Sequence, residues 1–119
     1  MNYSRKQHDL FYDRTSWKNV SSKALRRDGY QCQISKRYKA IPDPAQCVHH
    51  IFPREFFPEY ELCLWNLISL SFTNHGKMHD RKTGGLTDEG KKLMYKTAIK
   101  NKIDYQAAID RMNQMIKRE

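Results

Sequence analysis

Four of the five histidines in this 119-residue chain fall between positions 49 and 79, in separate pieces. His49 and His50 stand side by side in VHHI at 48–51. His75 and His79 lie in NHGKMH at 74–79, and Asn66 sits between the two pieces in WNL at 65–67. The remaining histidine is His8. Five polar side chains that can bind a metal or help move a proton are thus concentrated in one stretch. The rest of the chain has to hold these pieces together.

The length suits a single domain, 1–119, with a modest core. Hydrophobic residues make up 39% and charged residues 29%, the balance of a soluble, somewhat thinly cored protein. No apolar run is long enough to span a bilayer, and MNYSRKQHDL lacks the apolar centre of a signal peptide, so a cytoplasmic, membrane-free protein is expected. Net charge is +9 and uneven: residues 1–40 balance at +7, residues 41–70 at −3 and residues 71–100 at +4. Two basic flanks around a neutral-to-acidic middle suit a polyanion held on either side of a reactive centre. Cys32, Cys47 and Cys63 are odd in number and widely spaced, with no CxxC, which excludes a disulfide framework.

Polar residues at the N-terminus end in LFY at 10–12, an arm expected to dock by its aromatics. Trp17, Val20, Ala24 and Leu25 recur at helical spacing and predict a helix over 15–28, with Thr15 or Ser16 as cap and Gly29 closing it. Its other face carries Lys18, Lys23, Arg26 and Arg27, either a solvated surface or a stripe for phosphates. YQCQI at 30–34 and QCVHHI at 46–51 read as two strands of a hairpin with a long, Pro-containing loop. Leu62, Leu64, Trp65, Leu67 and Leu70 form the densest apolar stretch and are expected to pack the core. A short helix over 72–82 carries both His75 and His79 and ends at Gly84–Gly85. Further helices follow over 87–100, capped by Thr87 or Asp88 and broken by Asn101, and over 104–117, capped by Asp104.

On a helix, residues four apart share a face, so His75 and His79 could reach one metal ion. Adjacent histidines at a strand end can divide the labour, one binding the metal and the other free to take a proton near neutral pH. A base of that kind needs its far nitrogen held, and a carbonyl such as that of Asn66 can do so. Each piece alone has an ordinary explanation: solvent-facing histidines, or an Asn that caps a turn. In order and closely spaced, the pieces point to one site.

In that combination the chain resembles the HNH endonuclease family, with its ββα-metal fold, and most of all the small stand-alone HNH nucleases of tailed phages and prophages. The resemblance spans roughly residues 10–88 and rests on LFYDRTSW at 10–17, RRDGYQCQIS at 26–35, CVHHIFP at 47–53, WNLISL at 65–70 and NHGKMHDRKT at 74–83. It implies an α+β architecture: a ββα core over 10–88 with an N-terminal helix, and a C-terminal extension of two helices over 87–117. It implies His49 as first metal ligand, where many members have Asp, and His50 as the general base. Asn66 would orient His50 or stiffen the loop between strands and helix. His75 would be the second ligand, and His79 a third ligand or a phosphate contact.

The implied activity is hydrolysis of DNA phosphodiesters, by nicking or full cleavage, with one divalent metal and a 5′-phosphate product. Magnesium or manganese would serve activity, while histidine ligation favours zinc or nickel for binding. Lys18, Lys23, Arg26, Arg27, Lys77, Arg81 and Lys82 would grip double-stranded DNA. The phage relatives also suggest terminase and portal proteins as partners in packaging, with the C-terminal helices as a partner or self-association surface. Many relatives carry a structural zinc held by two CxxC pairs. Here those positions read Cys32, Ser35, Ser71 and Asn74, so no structural zinc is expected, and Phe72, Trp65 and Phe56–Phe57 are candidates to replace its support. The competing classes are a non-cutting DNA- or partner-binding module on the same scaffold, and an unrelated small basic nucleic-acid-binding protein.

Overall fold

The computed structural model describes residues 9–117, so the polar start of the N-terminal arm lies outside the described residues. The described residues form four helices and a two-stranded antiparallel sheet, an α+β fold. A short 3-10 helix, Leu10–Asp13, leads into α1, Thr15–Arg27; then come β1, Cys47–His50, β2, Leu67–Leu70, α2, Phe72–Gly76, α3, Asp88–Lys100, and α4, Tyr105–Lys117. Among the described residues no helix is long and apolar enough to cross a membrane.

The hairpin is not the one expected. β1 pairs with β2, in the register Cys47↔Leu70, Val48↔Ser69, His49↔Ile68 and His50↔Leu67. Residues 30–34 form no strand. Only Gln31 makes an isolated bridge, to Pro44, after which Ser35–Arg37 winds into a 3-10 turn. Pro42 and Pro44 carry no N–H, so the segment opposite 30–34 cannot extend a ladder. The apolar stretch instead supplies β2 through Leu67 and Leu70, both buried, while Leu62 and Leu64 lie at the surface.

Alternation along the strands splits the sheet into two faces. Val48, Leu67 and His50 face α1, where Trp17, Ala24 and Phe11 close a small core. Cys47, Leu70, Ile68 and His49 face the other way, onto the larger core that includes Phe52, Met78, Met94, Ala98 and Met112. The expected aromatic docking holds for Phe11, which is buried, while Leu10 and Tyr12 stay exposed.

Helix α1 starts without the expected hydroxyl cap: Arg14 stands at the N-cap, and its backbone N–H bonds to the Phe11 carbonyl of the preceding turn. Its far end is tied down firmly. Gly29 takes φ +64°, the Asp28 carboxylate accepts from the Ser69 N–H at 3.0 Å, and Arg27 donates to the Leu64 and Leu67 carbonyls. Thr87 caps α3 by accepting from the Gly90 N–H, Asn101 ends that helix, and Asp104 accepts from the Ala107 N–H at the start of α4. Arg111 of α4 grips Glu59 with two bonds, 2.6 and 2.8 Å, and covers the Phe57 ring, fastening the extension to the loop after β1.

The four positions that the resemblance equates with zinc ligands come together as a buried polar cluster. Cys32, Ser35, Ser71 and Asn74 are all buried. Asn74 Nδ2 donates to Cys32 Sγ at 3.5 Å and to Ser71 Oγ at 3.2 Å; Ser35 Oγ donates to the Cys32 carbonyl and accepts from the Asp43 N–H. Burial pushes the Cys32 thiol up, but the Ser35 and Ser71 backbone and hydroxyl groups outweigh it and bring its pKa to about 7. Among the described residues the three cysteines do not gather into a ligand set. Of the aromatics expected to support this region, Phe56 and Phe57 are buried, Trp65 packs partly into the core and Phe72 is exposed. Replacing Asn74 by Ala should cost about 1–3 kcal/mol in urea unfolding, because it strips buried acceptors of their donor; an unchanged midpoint would show that the cluster adds nothing.

Candidate metal and catalytic site

Three histidines converge from different elements. His49 comes from β1, His75 from α2 and His79 from the segment after it. Their ring centroids stand 5.1, 5.2 and 5.2 Å apart, nearly an equilateral triangle. One ligand nitrogen from each lies within 4.8 Å of the others. His49 is 1% exposed, and neither of its ring nitrogens has a hydrogen-bond partner among the described residues. An imidazole buried without a partner is costly, and a bound cation removes that cost. Burial lowers all three below the ordinary histidine pKa of 6.5, with neighbouring histidines lowering His49 and His79 further. Neutral imidazoles are the form that binds a metal, so these donors fit a divalent ion.

His79 reaches the triangle by a different route from the one expected. Helix α2 ends at Gly76, with Lys77 as C-cap, and does not run to residue 82. His79 instead pairs with Leu86 in an isolated antiparallel bridge, flanked by bonds from the Asp80 N–H to the Gly85 carbonyl and from the Thr87 N–H to the Met78 carbonyl. Gly84, at φ +77°, turns the chain between them. Gly90 of α3 packs against this segment so closely that a Cβ there would sit 2.5 Å from the Met78 carbonyl oxygen.

His50 points to the other face of β1. Its ring stacks on Trp17, with centroids 4.9 Å apart and planes at 27°, and tilts against Phe11 at 6.0 Å. Its Nε2 lies 3.0 Å from the Glu61 carbonyl oxygen. A carbonyl can only accept, so Nε2 holds the proton and Nδ1 keeps the lone pair. Burial lowers the His50 pKa, the Glu61 carbonyl raises it in part, and the charge of Arg54 lowers it again; the net direction is down from 6.5. The arrangement is a neutral imidazole with one nitrogen clamped and the other available, beside three candidate metal ligands.

Asn66 does not hold His50. It is fully buried and binds the loop instead: Oδ1 accepts from the Phe52 N–H at 2.7 Å, and Nδ2 donates to the Phe52 and Tyr60 carbonyls. Neither expected role matches these bonds: the Glu61 carbonyl holds His50, and Asn66 stiffens the loop between β1 and β2 rather than one between the strands and the helix.

The four histidines line one cavity of about 280 Å³ together with Tyr12, Arg54 and Glu55. Arg54 lies over the Phe11 ring at 4.2 Å and pairs with Asp9 and Glu61. Sequence reasoning passed over Arg54, although it follows His50 by only four residues. It could not have found the Glu61 carbonyl, because a backbone group leaves no mark in the residue type. Of the basic candidates, Lys18, Lys23, Arg26, Lys77, Arg81 and Lys82 are exposed, while the Arg27 guanidinium is engaged with Asp28 and the carbonyls at Leu64 and Leu67.

The HNH endonuclease of the deep-sea thermophilic bacteriophage GVE2, solved with a manganese ion, is similar in structure to this chain: TM-score 0.53 and 30% sequence identity, covering 56% of this chain and 72% of that one. The chain belongs to the HNH endonuclease family. Neither a scan of protein-family models nor a search of curated proteins finds a match. HNH membership sets the three-histidine cluster beside a solved relative whose structure contains manganese.

Gly90→Ala tests how His79 is positioned. The added methyl must push the Met78 carbonyl away, so we expect weaker Mn²⁺ binding by calorimetry together with a stability loss of about 1–3 kcal/mol. Mn²⁺ affinity equal to the parent's would show that the packing of α3 does not set the position of His79.

Proposed function

We propose that the chain is a metal-dependent DNA endonuclease or nickase in which His50 is the general base. The observation that carries this reading is the single orientation of His50, Nε2 bonded to the Glu61 carbonyl and Nδ1 free, in the same cavity as His49, His75 and His79. The HNH fold supports DNA as the polymer acted on.

His49, His75 and His79 would hold one divalent ion. When bound, that ion supplies charge stabilisation at a phosphoryl oxygen and at the departing 3′ oxygen. His50 Nδ1 takes a proton from the water that attacks phosphorus in line, which leaves a 5′ phosphate on one fragment and a 3′ hydroxyl on the other. The Glu61 carbonyl, bonded to Nε2–H, steadies the imidazolium that forms. Asn66 acts one layer out, fixing the loop that carries both Phe52 and Tyr60, the latter beside Glu61. Lys18, Lys23, Arg26, Lys77, Arg81 and Lys82 would hold the flanking phosphates of duplex DNA, with Arg27 the weaker candidate because its donors are in use. Manganese is the first ion to test, since the similar phage enzyme was solved with it, followed by magnesium, nickel and zinc. A packaging role beside terminase and portal proteins follows from the phage resemblance, and co-purification from infected or induced cells tests it.

A supercoiled-plasmid assay tests the activity directly. The parent should convert plasmid to the nicked form with Mn²⁺. His50→Ala should slow this by about 10²–10⁴-fold, the usual loss for a missing general base, while keeping Mn²⁺ affinity. His49→Ala should lose both. Plasmid left intact by the parent, or cut equally well by His50→Ala, would sink the reading.

The pH profile follows from the direction of the His50 shift. The base works only when unprotonated, and its pKa lies below 6.5, so the rate should be level above pH 6.5 and fall on the acid side. A rate still climbing steeply above neutral pH would assign the proton to another group.

A further inference from the structure

A second cavity, of about 820 Å³, lies on the β2 side of the sheet and shares no residue with the histidine cavity. Lys36 and Arg37, after the Cys32 turn, and Lys96 and Lys100, on α3, stand around it. All four are exposed, and none pairs with an acid among the described residues. The acid on its wall, Asp28, is already bonded to Arg27 and to the Ser69 N–H. Lys96 and Lys100 are four residues apart on one helix face, a like-charge spacing that weakens an isolated helix. A polyanion would neutralise both at once.

Between the cations the wall mixes polar groups such as Gln33 and Asn101 with apolar ones, among them half-buried Trp65, whose ring also packs on Tyr60, and Ile99, 59% exposed. Such a cleft suits a ligand that combines spaced negative charges with flat apolar groups. We propose that it binds single-stranded nucleic acid, with phosphates on Lys36, Arg37, Lys96 and Lys100 and bases packed toward Trp65 and Ile99. Duplex DNA fits less well: its bases are stacked inside, so the apolar groups of the wall would face only sugars and phosphates. An unpaired strand offers both groups at once, and cationic grooves with stacking surfaces hold such strands without reading sequence. An acidic peptide with apolar side chains also carries both features. The nuclease fold and the overall charge of +9 favour the nucleic acid.

The test measures binding in EDTA, so its outcome does not depend on cutting. The probe is a fluorescein-labelled oligothymidylate, followed by anisotropy with the full chain. We expect affinity that falls steeply with added salt and drops about tenfold or more in Lys36→Glu/Lys96→Glu, with Mn²⁺ affinity and melting temperature unchanged. If that double variant misfolds, Arg37→Ala and Lys100→Ala, each milder, should give about threefold losses. The chain has two tryptophans, so in Trp17→Phe the fluorescence reports Trp65 alone, and oligothymidylate should quench it. Affinity unchanged by the charge variants would overturn the proposal. So would equal losses for oligothymidylate and a duplex of the same length without quenching, which would mark a duplex track. Binding of a labelled acidic Glu/Leu peptide, with no oligothymidylate bound, would mark a protein-docking cleft and overturn it as well.

Discussion

The pairing of Cys47–His50 with Leu67–Leu70 is the constraint on which the site depends. Strand geometry sends neighbouring side chains to opposite faces, so the two adjacent histidines pack against different neighbours. His49 is driven into the core side, where α2 and the following turn bring His75 and His79. His50 is driven toward α1, where it stacks on Trp17 and joins Phe11 in one aromatic cluster. A slip of one residue in register would exchange the two histidines and destroy both halves of the site. The register is fixed by ties outside the ladder: Asp28 holds Ser69, Gln33 N–H donates to the Ser69 carbonyl, and Arg27 holds the carbonyls at the start of β2.

Desolvation works in the same direction on all four histidines. Each is shifted down, and protonation of His49, His75 and His79 would place like charges about 5 Å apart. This is why the site is built from short, stiff pieces. Neutral rings placed at ligand distance have to be held by their surroundings. Asn66 does this for the loop, and the His79–Leu86 bridge does it for the turn.

Much of the site was legible because its side chains are chemically distinctive and closely spaced: His49, His50, His75 and His79 do meet in one cavity. Periodicity made α1 legible, though not its Arg14 N-cap, and periodicity with the right caps made α3 and α4 legible. What failed were elements decided by backbone partners. YQCQI alternates like a strand, yet the prolines opposite it supply no donors, and its Cys32 end curls into the buried polar cluster. NHGKMHDRKT has helical histidine spacing, yet α2 stops at Gly76 because the chain gains the His79–Leu86 bridge and the burial of Met78 by turning back. The HxxxH spacing brought the right residues together for the wrong geometric reason.

The polar cluster at Cys32, Ser35, Ser71 and Asn74 shows how the scaffold is held at the positions that the resemblance equates with zinc ligands. A zinc ion would tie the Cys32 turn to α2 with four strong bonds. Here Asn74 and the two serines make the tie with hydrogen bonds, each contributing about 1 kcal/mol net. The C-terminal helices add to this support. Met94, Ala98 and Met112 are buried in the same core as Cys32, and Arg111 ties α4 to the loop that Asn66 stiffens. On this account the extension beyond the ββα core is part of what keeps His49, His75 and His79 in register, since Gly90 of α3 lies directly against the segment that presents His79.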